Sequence, residues 1–367
     1  MSAQELVAAL VAIDSVNPEL VPGGAGEAEI AAYVAAWLRE AGVEVSLDEA
    51  APGRVSVVGV VRGRGGGRSL MLNAHMDTVG VEGMADPFSA VVRDGRLYGR
   101  GAYDMKGSLA ACLLAARELA GAGLAGDVLV TAVADEEHAS LGVRSVLRRW
   151  SADAAIVTEP TGLRVCVAHK GFVWAEIETR GRAAHGSRPA EGVDAITRMA
   201  PVLGRLAELQ AALDAAPPHP LVGPPSVHAS LISGGQELSS YPARCVLALE
   251  RRTVPGESAE DARRECSDLA EGAEVRLGLV REPFEVPRGE VVVAAVSRAA
   301  EAVTGRAAEI YGDTPWMDAA LTQAAGIPTV VFGPAGAGAH AVEEWVDLAS
   351  VEACAQALVA AARELCA

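Results

Sequence analysis

Aromatic residues make up only 4% of the 367-residue chain, and none of its six cysteines forms a C-x-x-C pair. Scattered cysteines (Cys112, Cys166, Cys245, Cys266, Cys354, Cys366) in a chain of this length read as free, buried thiols, not as a disulfide frame or a thiolate zinc site, and they predict a reducing, cytoplasmic setting. No apolar run approaches the length of a membrane span. Met1–Val16 reads as an amphipathic helix without the basic flank and cleavage site of an export signal. Positive charge is scarce: Lys+Arg number 31 against 48 Asp+Glu, a net charge of -17. Such a chain is repelled by phosphate backbones and anionic lipid, so nucleic acid and membrane surfaces are excluded as partners. No Gly-Lys-Ser/Thr phosphate loop is present. Gly99-Arg100-Gly101 before a helix is a poor dinucleotide fingerprint, because Asp104 would repel a pyrophosphate at that helix N-terminus.

Half of the residues are apolar, enough for real cores, and the length calls for two domains. The first part alternates helical and strand patterns. A helix is expected over Glu27–Ala41, a strand over Val55–Val61, a buried strand ending in His75-Met76-Asp77, and a hairpin around Asp94-Gly95. A helix follows over Met105–Ala120. Asp127–Ala134 and Ala154–Thr158 are further buried strands, running into Asp135-Glu136-Glu137 and Glu159-Pro160. Alternation of this kind predicts an α/β fold with a mainly parallel sheet and helices on both faces. Between Phe172 and Phe284 the texture changes to alternating strands (Val173–Thr179, Cys245–Arg251), a helix (Val193–Ala211) and a Pro-rich loop. The expected organisation is therefore a catalytic domain in two pieces, 1–171 and 285–367, with an inserted α+β domain over 172–284. The second piece carries a helix over Val291–Thr304 and a strand over Thr329–Phe332.

Polar residues gather where the apolar strands run out, the end of an open α/β sheet at which ligands bind. His75, Asp77, Asp104, Glu136, Glu137, Glu159 and the late His340 form a nitrogen/oxygen set suited to Zn, Co or Mn. A two-metal site needs a bridging carboxylate, terminal ligands for each ion, and one carboxylate left free as base. Singly, each residue has an ordinary structural explanation: a hydrogen-bonded His, an N-cap Asp, a solvated acidic turn. Jointly, so many acceptors of one chemical type at successive strand ends point to a cation site.

The motifs Asn73-Ala74-His75-Met76-Asp77, Gly99 to Gly107, Asp135-Glu136-Glu137, Thr158-Glu159-Pro160, Gly181 to Pro189 and His340 together resemble the metallopeptidase family of acetylornithine deacetylase, succinyl-diaminopimelate desuccinylase, aminoacylase and the glutamate-releasing carboxypeptidases. The resemblance covers nearly the whole chain. It implies that His75, Asp104 and Glu159 hold one divalent ion and Asp104, Glu137 and His340 a second, zinc or cobalt, with Asp104 bridging. It further implies that Asp77 orients His75 and that Glu136 is the general base and acid. The insert would be a dimerisation domain, with His185 of a partner copy polarising the scissile carbonyl and Arg252 gripping the substrate carboxylate; Arg251 is its adjacent competitor. Ser239 stands where the family often has Asn; Gly333–Gly338 reads either as a stretch whose backbone amides approach a substrate or simply as a flexible loop. The implied reaction is removal of the acyl group from a small N-acyl amino acid by a homodimer. Dipeptide or carboxypeptidase cleavage is the alternative, and a non-catalytic metal-binding relative the remaining one.

Overall fold

The computed structural model describes residues 1–367, which fall into two compact units: Met1–Val167 with Val286–Tyr311 and Met317–Ala367, and Ala168–Glu285 with Gly312–Trp316.

The first unit is built on a large sheet with strands in the order Glu44–Ala51, Arg54–Val61, Val128–Val133, Leu70–His75, Ala154–Val157, Thr329–Val331, Val165–His169. Its four middle strands are mutually parallel, and antiparallel pairs close both sides. The middle strands are continuously buried, as strands covered on both faces must be. On one face Val58, Val60, Met71, Leu129 and Val133 pack against Val143, Val146 and Ile327. Gly59, between Val58 and Val60, looks to the other face, where Leu38 Cδ1 lies 2.8 Å from the place a Cβ would take. The helix Ala28–Glu40 therefore seats directly on the strand. Helices Gly107–Leu119, Val291–Thr304 and Leu348–Leu365 pack on one another within this unit. The fold is α/β with a mainly parallel central sheet.

Because the middle strands run parallel, their carboxyl ends meet at one edge. His75 closes its strand; Glu136 and Glu137 follow Val133, Glu159 follows Val157, and Gly333 follows Val331.

The second unit is a four-stranded antiparallel sheet in the order Ser226–Gly234, Arg244–Thr253, Gly171–Arg180, Glu274–Arg281. Its middle strands alternate buried and exposed positions, as a sheet covered on one face requires. The core joins Val173, Ile177, Leu247 and Leu249 to Val202 and Leu206 of the helix Ala200–Ala215 and to Ala262 and Cys266 of the helix Ala259–Asp268. The longer helix begins later than the Val193 expected from periodicity. Asp194 Oδ1 accepts the N–H groups of Ile196 and Thr197, holding a turn that competes with helix. Pro201 then sits in the first helical turn, where its missing N–H costs nothing.

No helix is long and apolar enough to cross a membrane. All six cysteines are free and buried. Burial pushes the thiols of Cys112 and Cys366 up to about 12 and that of Cys266 up to about 11. The native protein is therefore expected to leave a thiol-specific disulfide reagent almost unconsumed at pH 8, and to react at every cysteine once unfolded in guanidinium. Rapid labelling of the native fold would contradict this packing.

Candidate metal centre

Two groups of side chains converge at the carboxyl edge of the parallel strands, His75–Asp104–Glu159 and Asp104–Glu137–His340. Within each group the potential ligand atoms lie within 4.8 Å of one another. Asp104 belongs to both through different oxygens. His75 Nε2 is 3.0 Å from Oδ1 of Asp104 and 3.7 Å from Oε1 of Glu159. His340 Nε2 is 3.4 Å from Oδ2 of Asp104 and 3.1 Å from Oε2 of Glu137.

The orientation of His75 is fixed from behind. Its Nδ1 lies 2.9 Å from the Asp77 carbonyl oxygen, which can only accept, so Nδ1 carries a proton and Nε2 is the ring atom presented to Asp104 and Glu159. The Asp77 carboxylate holds the next strand end instead: Oδ1 accepts the Glu136 N–H at 3.0 Å and Oδ2 the Glu137 N–H at 3.2 Å.

Behind Asp77 stands a buried polar layer that sequence patterns did not disclose. Asn17 Nδ2 donates to Asp77 Oδ2 at 2.8 Å and to Asp135 Oδ1 at 3.0 Å. Arg54 donates two bonds to Glu27, at 2.8 and 2.7 Å, and one to Asp135 at 2.8 Å. Asp135 itself has a left-handed backbone with φ 67°, and its N–H is held by Glu27 Oε1 at 3.2 Å. The only local clues were an arginine opening a valine-rich strand and an acidic residue preceding Glu136.

The electrostatics follow from crowding acids in a buried place. Burial, then the charges of Asp318 and Glu159, push the Glu136 carboxyl well above its usual range. Burial raises Glu159 and Glu137 as well, with Asp104 adding to both. Against its own burial, Asp104 is lowered by hydrogen bonds from His340 and His75. Asp104 and Glu137 in turn hold protonated His340 up to about 10. For His75, burial disfavours charge but is outweighed by Glu159 and Asp104, so its pKa also rises. Glu137 Oε1 is buried without a hydrogen-bond partner. Carboxylates in excess over imidazoles, with one oxygen left unsatisfied, form the donor set that two hard or borderline divalent cations would neutralise.

The remaining sequence candidates are placed as follows. The Gly333 N–H is spent on Thr161 Oγ1, 3.0 Å away, and a Cβ at Gly333 would stand 2.4 Å from the Thr158 and Glu159 carbonyl oxygens. Its small size thus lets two strand ends approach. In the second unit Arg251 is buried and occupied by Glu257 and Glu265, with bonds of 2.7 and 2.8 Å. Arg252, one residue on, lies over the Phe172 ring at 5.2 Å and has a buried Nη1 with no partner. His185 is exposed. Its Nδ1 accepts the Ser187 N–H at 3.2 Å, which leaves the proton of a neutral ring on Nε2. Ser239 reaches the same turn through its carbonyl, which accepts the Gly186 N–H at 2.6 Å.

The chain belongs to peptidase family M20/M25/M40, which it matches over residues 71–364. It is a metal-dependent hydrolase of linear amide bonds. Similar proteins include the acetylornithine deacetylase of Myxococcus xanthus, 32% identical over 357 residues that cover 91% of each chain. That of Photorhabdus laumondii is 28% identical over 95% of this chain and 93% of its own. Among solved structures, an M20 family metallo-carboxypeptidase from Sulfolobus solfataricus superposes with a TM-score of 0.83 at 18% identity, covering 99% of both chains. A dinuclear metal-binding M20 peptidase from Bacillus subtilis gives 0.72 at 19% identity, covering 99% of this chain and 97% of its own.

Replacing Arg54 by Met should leave Glu27 and Asp135 as uncompensated buried anions and destabilise the fold by about 3–5 kcal/mol. The check is the urea midpoint at unchanged slope; a loss within the range of a surface substitution would mean that water or alternative donors reach this layer.

Proposed function

We propose that the protein is a two-metal amidohydrolase that removes the acyl group from a small N-acyl amino acid. The observation that carries this reading is the shared Asp104, whose two oxygens face the imidazoles of two separate ligand groups. His75, Asp104 and Glu159 would hold one ion and Asp104, Glu137 and His340 the other, zinc or cobalt by the nitrogen/oxygen character of the set. When bound, such ions supply Lewis acidity to the scissile carbonyl and make water acidic enough to attack near neutral pH.

The protein's own groups do the rest. Glu136 takes a proton from the attacking water as its oxygen bonds to the carbonyl carbon, and delivers that proton to the amine as the C–N bond breaks. The products are a free amine and a carboxylate. Burial raises the Glu136 carboxyl, the direction that makes its carboxylate a stronger base. Asp77 keeps Glu136 and Glu137 in place through their N–H groups, and its carbonyl fixes the His75 tautomer. His185 of a partner copy donates its Nε2 proton to the carbonyl oxygen. Arg252 grips the substrate carboxylate with its planar fork, a role denied to Arg251, which is buried and bonded to Glu257 and Glu265. Ser239 and the Gly333 loop border the substrate.

The edge strand Ser226–Gly234, with Leu231 74% and Ile232 54% exposed, supports a homodimer formed through the second unit, since such an edge invites another strand. Six free, buried cysteines support a cytoplasmic setting. The curated relatives at 28% and 32% identity favour deacylation over peptide cleavage.

The test is metal content together with hydrolysis of a panel of N-acyl amino acids and dipeptides. We expect about two ions per chain, activity lost to a chelator and restored by Zn or Co, and acyl amino acids preferred. A preference for dipeptides would replace deacylase by dipeptidase, and activity indifferent to chelation would end the two-metal reading. Glu136→Gln should keep its metal while losing turnover by about 10²–10⁴-fold. Inactive His185→Ala and inactive Glu136→Ala, mixed and allowed to exchange subunits, should regain part of the activity; no recovery would rule out a histidine acting across the dimer.

A further inference from the structure

The two ligand groups are supported differently. His75 and Glu159 sit at the ends of neighbouring parallel strands, joined behind the site by the Thr158 N–H to Asn73 carbonyl bond of 2.9 Å. His340, by contrast, comes from a loop, and its backbone is left-handed with φ 61°. Asp104 also lies outside the sheet, in the turn entering the helix Gly107–Leu119.

One buried carboxylate ties these two irregular segments together. The Glu344 side chain is 1% exposed. Its Oε1 accepts the N–H groups of Tyr103 at 2.9 Å and Asp104 at 3.0 Å. Its Oε2 accepts the Gly101 N–H at 3.0 Å and Arg100 Nη1 at 2.7 Å. Arg100, 3% exposed, uses its other donors on the Ala341 carbonyl, beside His340, and on the Gly80 carbonyl, both at 3.0 Å. The Glu344 carbonyl accepts the Gly99 N–H at 3.1 Å. Burying an anion is costly, and here every compensating bond ends on the segment that carries Asp104. The arginine that neutralises the anion reaches back to the loop that carries His340. Glu137, the third member of that group, is held independently by Asp77.

We infer that Glu344, locked by Arg100, is a positioning residue that sets the spacing of Asp104 and His340, and so tunes the affinity of the Asp104–Glu137–His340 site separately from that of His75–Asp104–Glu159. This rests on the two-metal reading above. Asp104 is common to both sites, but only the loop-borne one has two of its three ligands on segments held by this pair. Outer groups that orient ligands typically change metal affinity by about 10–100-fold when removed.

The experiment is titration of metal-free protein with Co(II), followed by visible absorption and calorimetry, for the wild type, Glu344→Gln and Arg100→Lys. Glu344→Gln keeps the shape but takes away the charge and two of the four acceptor sites. Arg100→Lys keeps the charge opposite Glu344 but loses the fork that reaches Ala341. In both variants one of the two dissociation constants should rise by about 10–100-fold while the other moves far less. Should Glu344→Gln not fold, Arg100→Lys decides alone. Two constants with an unchanged ratio, accompanied only by a lower unfolding temperature, would make the pair a mere fold anchor and overturn the inference while the two-metal reading stands. A wild type that binds fewer than two ions would overturn that reading, and the inference with it.

Discussion

Charge crowded into a buried place is the constraint around which this molecule is arranged. Parallel strands end together, and here their ends bring Glu136, Glu137 and Glu159 to one another, with Asp104 and Asp318 added from outside the sheet and two imidazoles as the nearest bases. The acids behind them are treated differently. Glu27 and Asp135 share Arg54, and Glu344 pairs with Arg100, each through bonds of 2.7–2.8 Å. Carboxylates at the rear are thus matched by guanidinium, and those at the front are left to be matched by metal. Without the rear pairs, the backbone N–H groups that hold Asp104, Glu136 and Glu137 in place would lose their acceptors or find them displaced.

The second unit solves a smaller version of the same problem. Arg251 and Arg252 are adjacent on one strand, so their side chains leave opposite faces of the sheet. One face is packed against helices, where Arg251 is saturated by Glu257 and Glu265. On the other, Arg252 meets only the Phe172 ring and Glu250, 3.2 Å from its Nε. A shift of one residue in register would exchange a fold-stabilising cation for the one proposed to grip substrate.

Much of the architecture was legible because it is periodic. The helix Val291–Thr304 and the buried strands before His75, Glu136 and Glu159 stood out as continuous apolar runs closed by acids. Three of the strands that escaped notice, Glu44–Ala51, Ser226–Gly234 and Glu274–Arg281, lie at sheet edges, where exposure weakens the apolar pattern; Val165–His169, buried throughout, was missed as well. The ligand groups were readable for a chemical reason: few other needs place His and several carboxylates at successive strand ends. Asn17, Arg54, Arg100 and Glu344 were not, because their meaning lies in partners up to 244 positions away. A buried Arg and a solvated one look alike in a sequence of neighbours. Gly333 shows the converse, since a glycine that reads as room for a substrate is occupied in admitting its neighbour strand.

The division between sheet-borne and loop-borne ligands reaches beyond catalysis. Strand ends cannot be lengthened, bent or retyped without disturbing a continuous core, so the His75 side of the centre is tied to the heritage of the fold. The loop around His340 lies outside the large sheet, between the paired short strands Gly336–Ala337 and Trp345–Asp347, so a change in it does not pass through the strands that carry His75 and Glu159. Diversification of such an enzyme, whether in the ion it prefers or the speed with which it gives one up, has an open route on one side of Asp104 and a closed one on the other.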